Sequence, residues 1–248
     1  MRYPFATEGV KHLYHAVLCE IIMLGLSVFV VLLGLAAINA ESEGLLAIVA
    51  VLAIVLLVFA VAVLVLELVG TNKASNDEPL FKNAFYCLIG EIVLTVISAF
   101  VGNATASAII TLVNGALNIL VTYFIAKGLI SLFTNLGDQP MVEKAKKFLL
   151  IFFIVFAASV LIGFVEGFLG ADSTVAQILD LIASVAAIIA EVLFLLLLKE
   201  SYQKLSIAKK VAPEAEPTFD SEPDLVLEEV KEEKEEEQKE EPKDDLDL

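Results

Sequence analysis

Six long apolar runs constrain the fold of this chain more than any other feature. Short polar connections separate them, and in chain order they are residues 16–38, 45–69, 85–101, 108–132, 148–169 and 175–198. A helix needs about 20 apolar residues to cross the hydrocarbon core of a bilayer, at about 1.5 Å per residue. Each run meets or approaches that length, so the sequence predicts an all-α integral membrane protein with six transmembrane helices.

The overall composition supports a membrane protein. Hydrophobic residues make up 58% of the 248 residues, whereas soluble domains contain roughly 45–50%. The mean hydropathy is +0.85, which excludes a water-soluble core. The first apolar run is longer than the roughly 7–15 apolar residues of a signal peptide, so we expect it to be an uncleaved span.

The segment 72–101 resembles segments on both sides of it. A backward shift of 71 positions aligns Glu91 with Glu20, and a forward shift of 61 positions aligns Asp77 with Asp138. We therefore expect three tandem helical hairpins that share one orientation. The predicted division of the chain is an N-terminal lead (1–15), three hairpin repeats (16–69, 70–137 and 138–208) and an acidic tail (209–248).

Capping residues predict where several helices begin and end. Asp77 and Asp138 each precede a proline by two residues, which is typical of an N-cap before the third and fifth spans. Ser42 is placed to cap the second span. Gly70 and Gly137 are natural helix ends, because glycine readily adopts the left-handed conformation of a C-cap.

The placement of lysine and arginine predicts the orientation. These residues occur before span one, between spans two and three, between spans four and five, and after span six. The alternate turns, around Glu41, Asn103 and Asp172, contain neither residue type. Short loops rich in lysine and arginine remain on the cytoplasmic side, so we expect both termini in the cytoplasm. The compact loops favour a bacterial cell membrane.

Four ionisable residues lie well inside the apolar runs. Glu20, Glu91, Lys127 and Glu191 all fall about 10–13 Å below the predicted cytoplasmic surface at 1.5 Å per residue, in one layer. A charge at the centre of a bilayer costs on the order of 3 kcal/mol, so such residues normally face the bundle interior. By contrast, three acidic residues nearer the ends of their spans are expected at the interface: Glu67, Glu166 and Asp180.

This layer has a functional and a structural interpretation. The functional one is a proton or cation site lined by the three glutamates, with Lys127 as internal counter-ion and Asn114 and Asn118 as further ligands. In the structural one, the glutamates extend to the interface, or one pairs with Lys127 and only sets the register of the helices. The two differ in what they require of the interior: a shared cavity or a packed core.

The sequence contains no motif for an enzyme or a cofactor. His12 and His15 lack the further ligands of a zinc site, and no glycine-rich phosphate loop or nucleophile motif is present. From residue 212 to the C-terminus the chain has 17 acidic residues and four lysines. Such a tail is expected to be disordered, a single solvated helix or a weak coiled coil. Its negative charge opposes nucleic-acid binding and favours binding to a basic cytosolic protein.

Two classes of function therefore remain open. The first is a non-enzymatic scaffold or interaction protein embedded in the lipid bilayer, favoured by the absence of recognisable chemistry. The alternative is a small proton- or cation-coupled transporter or channel that uses the intramembrane glutamates. The sequence leaves the oligomeric state open, a homo-oligomer included.

Overall fold

The structure is a computed structural model that describes residues 3–40, 42–169 and 174–211. Within these residues the chain forms six helices, each long and apolar enough to cross a bilayer. They are α1 (Pro4–Asn39), α2 (Glu43–Ala74), α3 (Leu80–Ser98), α4 (Ala104–Leu136), α5 (Gln139–Leu169) and α6 (Thr174–Val211). This confirms the all-α fold and the six candidate spans. The tail from residue 212 and the turn at Asp172 lie outside the described residues.

Several helix ends follow the predicted capping residues. The Ser42 hydroxyl accepts a hydrogen bond from the Leu45 N–H at 3.5 Å at the start of α2. Asp138 accepts one from the Met141 N–H at 3.2 Å at the start of α5. Gly137 ends α4 with a positive φ of 75°, a conformation that costs glycine little.

The predicted end of α2 at Gly70 is wrong, because the helix continues to Ala74. Gly70 instead allows α1 and α2 to touch through their backbones. A Cβ atom added at Gly9 of α1 would lie 2.5 Å from the Gly70 carbonyl oxygen and 2.6 Å from the Ala74 nitrogen. The absence of side chains at this crossing thus permits a close approach within two continuous helices.

Asp77 does not cap α3 as predicted. Its carboxylate accepts a hydrogen bond at 2.6 Å from the Ala6 N–H, in the first turn of α1. The α3 helix begins at Leu80, five residues before the predicted span, and its N-cap position is Pro79, which makes no side-chain cap. Asp77 satisfies a free N–H group at the start of a helix, but that helix lies 71 residues away along the chain.

The six helices form a closed ring. Each helix packs mainly against its neighbours in sequence, and α6 also packs against α1. The first and last helices are therefore adjacent, and α2 lies across the ring from α5. A closed ring of six helices can enclose a central space, depending on how far side chains fill it.

Side chains fill the ring at one end only. We term this the lysine-bearing end; it comprises the start of α1, the end of α6 and the α2–α3 and α4–α5 connections. A contiguous buried cluster there draws on all six helices and includes Val10, Phe81, Leu129, Phe133, Met141 and Leu198. The opposite half comprises the described parts of residues 21–62, 92–120 and 150–189. Among them only Val30 and Ala37 are buried.

Polar contacts also concentrate at the lysine-bearing end. They join α1 to α2, the α2–α3 connection to α4, the α4–α5 connection to α6, and α5 to α6. The contacts are Lys73 with Glu8 at 3.0 Å, Ser131 with Glu78 at 2.6 Å, Lys204 with Asp138 at 2.7 Å, and Lys144 with Glu200. Each of these pairs therefore links two separate parts of the chain at this end of the ring.

Candidate cation site

A cavity of about 390 Å³ lies in the middle of the ring and is lined by side chains from all six helices. Several of its lining residues also belong to the buried cluster: Val17, Leu88, Val121, Ile125, Phe148 and Phe194. The cluster therefore closes the cavity on the side of the lysine-bearing end.

Three carboxylates line this cavity. Glu20, Glu67 and Glu191 come from α1, α2 and α6, and all three residues are half-buried. Asn118 of α4 also lines it. The described lining contains no lysine or arginine, so no basic side chain balances the acidic groups at the cavity wall.

The carboxylates occupy different depths. Gly9 and Gly70 are level with each other at the crossing of α1 and α2. Glu67 lies three residues from Gly70, whereas Glu20 lies eleven residues from Gly9, so Glu67 is nearer the lysine-bearing end by about 12 Å.

Glu20 and Glu191 also line a second, more open cavity of about 570 Å³, which runs along α1 and α2 into the opposite half. Apolar side chains form most of its wall, among them Met23, Leu24 and Leu57. The two carboxylates thus lie where the central cavity and this groove meet, with Glu67 on the inner side of them.

Glu91 belongs to the same acidic group but does not line the central cavity. It lies on α3 one turn beyond Leu88, which does line that cavity. One of its carboxylate oxygens is buried and has no hydrogen-bond partner among the described residues. Its position on α3 extends the acidic group to a fourth helix.

Lys127 is not at the cavity. The α4 residues that line it share one broad face of the helix; they are Asn118, Ile119, Val121, Thr122 and Ile125. Lys127 comes two residues after Ile125, about 200° around the helix, and it is exposed. It forms no ion pair among the described residues, so the predicted internal counter-ion is absent from this group.

Asn114 holds two helices together rather than lining the cavity. It lies one turn before Asn118, and its side-chain amide donates a hydrogen bond to the Thr95 hydroxyl of α3 at 3.3 Å. Its side-chain oxygen is buried without a partner among the described residues. Of the two asparagines predicted as ligands, the structure therefore brings Asn118 alone to the cavity wall.

Glu67 is the site residue that the sequence interpretation missed. It was expected at the interface because α2 was expected to end at residue 69. Since the helix continues to Ala74, Glu67 lies two turns inside it and reaches the cavity. The side chains of Glu166 and Asp180, also expected at the interface, lie outside the described residues.

Phenylalanine side chains form the wall of the cavity on α5 and α6. Phe148, Phe152 and Phe156 recur every four residues along α5, and Phe194 comes from α6. The rings of Phe148 and Phe194 stack with centroids 5.2 Å apart and planes 16° apart. Because α2 lies across the ring from α5, Glu67 is on the side of the cavity opposite these rings.

Comparison with protein-family models, with curated proteins and with solved structures finds no match to this chain. The chemistry of the cavity therefore follows from its own residues. Acidic groups without an adjacent base, at membrane depth, attract protons and other cations.

Proposed function

We propose that the protein carries a cation across the membrane through its acidic central cavity. The observation that supports this is the convergence of Glu20, Glu67 and Glu191 on one cavity with no basic residue in its described lining. Ionisable groups at membrane depth are costly and typically mark ion or substrate pathways. A bound proton or cation would neutralise them.

The shape of the ring suggests the route. A cation arriving from the opposite half would pass along the groove, meet Glu20 and Glu191 first, and then reach Glu67. Further passage requires the buried cluster to separate. The same protein would then have a second conformation, open at the lysine-bearing end, in which the ion pairs there are broken. Binding would shift the population between the two states.

The scaffold interpretation expects a packed interior at the acidic layer. The cavity favours transport, and the scaffold becomes one outcome of the following experiment. Full-length protein is reconstituted in liposomes, and proton flux is followed with a pH-sensitive dye after a potential is applied. We expect flux in the unmodified protein and a loss of at least tenfold in Glu20→Gln and Glu191→Gln.

The matched control is Glu43→Gln, which removes a carboxylate that lies exposed at the start of α2 and away from the cavity. It should retain the flux of the unmodified protein. An absence of proton flux in every protein, with all of them folded, would contradict proton transport. Equal losses in all three variants would show that the cavity is not the route.

We further propose that the lysine-bearing end is cytoplasmic, that the membrane is a bacterial cell membrane, and that the helices descend from three tandem hairpins. The lysine distribution supports the orientation, and the alignment of Asp77 with Asp138 supports the origin from hairpins. In a variant lacking Cys19 and Cys87, a cysteine at Asn103 should react with an impermeant thiol reagent outside intact cells. A cysteine at Asn76 should not, and its labelling would reverse the orientation.

A further inference from the structure

We propose that the cavity accepts a hydrophobic organic cation, such as a quaternary ammonium or phosphonium ion. This inference rests on the proposed function and adds the chemical class of the substrate. Its basis is the juxtaposition of a phenylalanine wall on α5 and α6 with carboxylates on α1, α2 and α6 around one cavity.

The wall and the carboxylates recognise two parts of one ligand. Aromatic faces attract cations whose charge is spread over organic groups, and the attraction is strongest where water is excluded. The stacked rings of Phe148, Phe152 and Phe194 also offer a broad apolar surface. Glu67, across the ring, supplies the opposite charge. A hydrophobic cation placed between them satisfies both sides.

The size of the cavity fits an organic molecule. Sites for small organic ligands occupy about 300–1,000 Å³ and are lined mostly by apolar groups with a few polar ones, and this cavity has about 390 Å³. A divalent metal would instead need several oxygen ligands within about 2.6 Å. Among the described residues, no three acidic, histidine or cysteine side chains are grouped closely enough for that.

The groove supplies a suitable entrance. Met23, Leu24 and Leu57 line it and make it apolar, and it meets the central cavity at Glu20 and Glu191. A hydrophobic cation that has partitioned into the bilayer can follow such a surface without losing apolar contact. A small hydrated ion makes no favourable apolar contact with this surface.

Binding of tetraphenylphosphonium to the purified full-length protein in nanodiscs tests the proposal. Titration calorimetry should detect saturable binding, and Phe152→Leu should weaken it about tenfold through the lost aromatic face. The matched control is Phe153→Leu, the next residue on α5, which does not line the cavity. It should bind within about twofold of the unmodified protein.

Tetraphenylborate, an anion of nearly the same shape, separates charge recognition from partitioning into lipid. We expect no saturable binding of it. Equal binding of the two ions, or equal effects of Phe152→Leu and Phe153→Leu, would overturn the organic-cation site.

The proton-flux assay separates the two proposals. Glutamate-dependent proton flux without tetraphenylphosphonium binding would overturn the substrate class and leave cation transport in place. The loss of both activities in correctly folded protein would overturn both proposals. Saturable binding that Glu20→Gln weakens, together with flux, supports both.

Discussion

The two ends of the helical ring are built differently although the same six helices form both. At the lysine-bearing end, side chains from every helix are buried together and polar pairs join helix to helix. In the opposite half, only Val30 and Ala37 are buried among the described residues, and the apolar groove runs into it.

This difference separates the closely packed core from the proposed cation site along the length of the ring. Close packing supplies most of the favourable energy between membrane helices, because lipid is as apolar as the side chains it touches. The lysine-bearing end therefore holds the ring together. The proposed cation site is next to the half with few buried residues, where local opening is expected to cost least.

The largest expected effect is at the crossing of α1 and α2. Gly9→Ala should destabilise the protein by about 3 kcal/mol, because its Cβ would overlap the backbone of Gly70 and Ala74. Gly25→Ala, in the same helix, is the control, since its Cβ would meet nothing within 4 Å. Thermal unfolding in detergent measures both, and equal stabilities would remove the distinction between the two ends.

A smaller loss is expected where α3 meets α4. A Cβ at Gly128 would lie 2.7 Å from the ring of Phe81, which is fully buried. Gly128→Ala should therefore cost about 2 kcal/mol as the ring shifts. Gly115→Ala lies in the same helix but in the opposite half, where nothing is within 4 Å. We expect it to unfold at a temperature no lower than that of the unmodified protein.

Replacing a carboxylate of the cavity should increase the stability of the protein rather than decrease it. Glu191→Gln removes one of three carboxylates that line one cavity without a basic residue in its described lining, so we expect a gain in stability of about 1 kcal/mol together with lost flux. Glu43→Gln should change the unfolding temperature little. A loss of stability in Glu191→Gln would indicate that the carboxylate is a structural contact.

The smallest expected effect is on the stability of the protein at low pH. Partial burial opposes ionisation of Asp138, but the hydrogen bonds from Lys204 and the Met141 N–H outweigh it, and the pKa of Asp138 lies below its usual value. A lowered folded-state pKa stabilises the protein above the unfolded value of about 4, and this contribution is lost as the pH falls towards the folded value. The pair is partly exposed, so at most about 1 kcal/mol is involved.

Asp138→Asn should therefore unfold more easily at pH 7 and show a smaller decrease in stability below pH 4 than the unmodified protein. Asp77→Asn is a useful comparison, since that side chain also caps a helix but forms no ion pair among the described residues. An unchanged acid response in Asp138→Asn would show that other carboxylates dominate.

Local features were predictable from the sequence. The six spans follow from apolar length, and Ser42, Gly137 and Asp138 mark helix ends because a cap is a contact within a few residues. The bond from Asp77 to Ala6 was not predictable, since the same carboxylate can cap whichever free N–H groups the fold brings near.

The acidic site was predictable only in part. Glu20 and Glu191 lie far inside their apolar runs, so their inward positions follow from the cost of charge in lipid. The position of Lys127 could not be predicted in this way, because depth along a helix does not determine which side of the helix a residue lies on. Glu67 was missed because its depth was counted from Gly70, and a glycine that permits helix crossing resembles one that ends a helix.

The contact between α1 and α6 can form only late in biosynthesis. A ribosome releases α1 first and α6 last, so the ring stays open at this seam until the whole helical region has been made. Before that, Glu20 on α1 lacks the helix that carries Glu191. Ring closure is therefore a late step of assembly, and a chain that stops before α6 would leave an acidic cavity open to lipid.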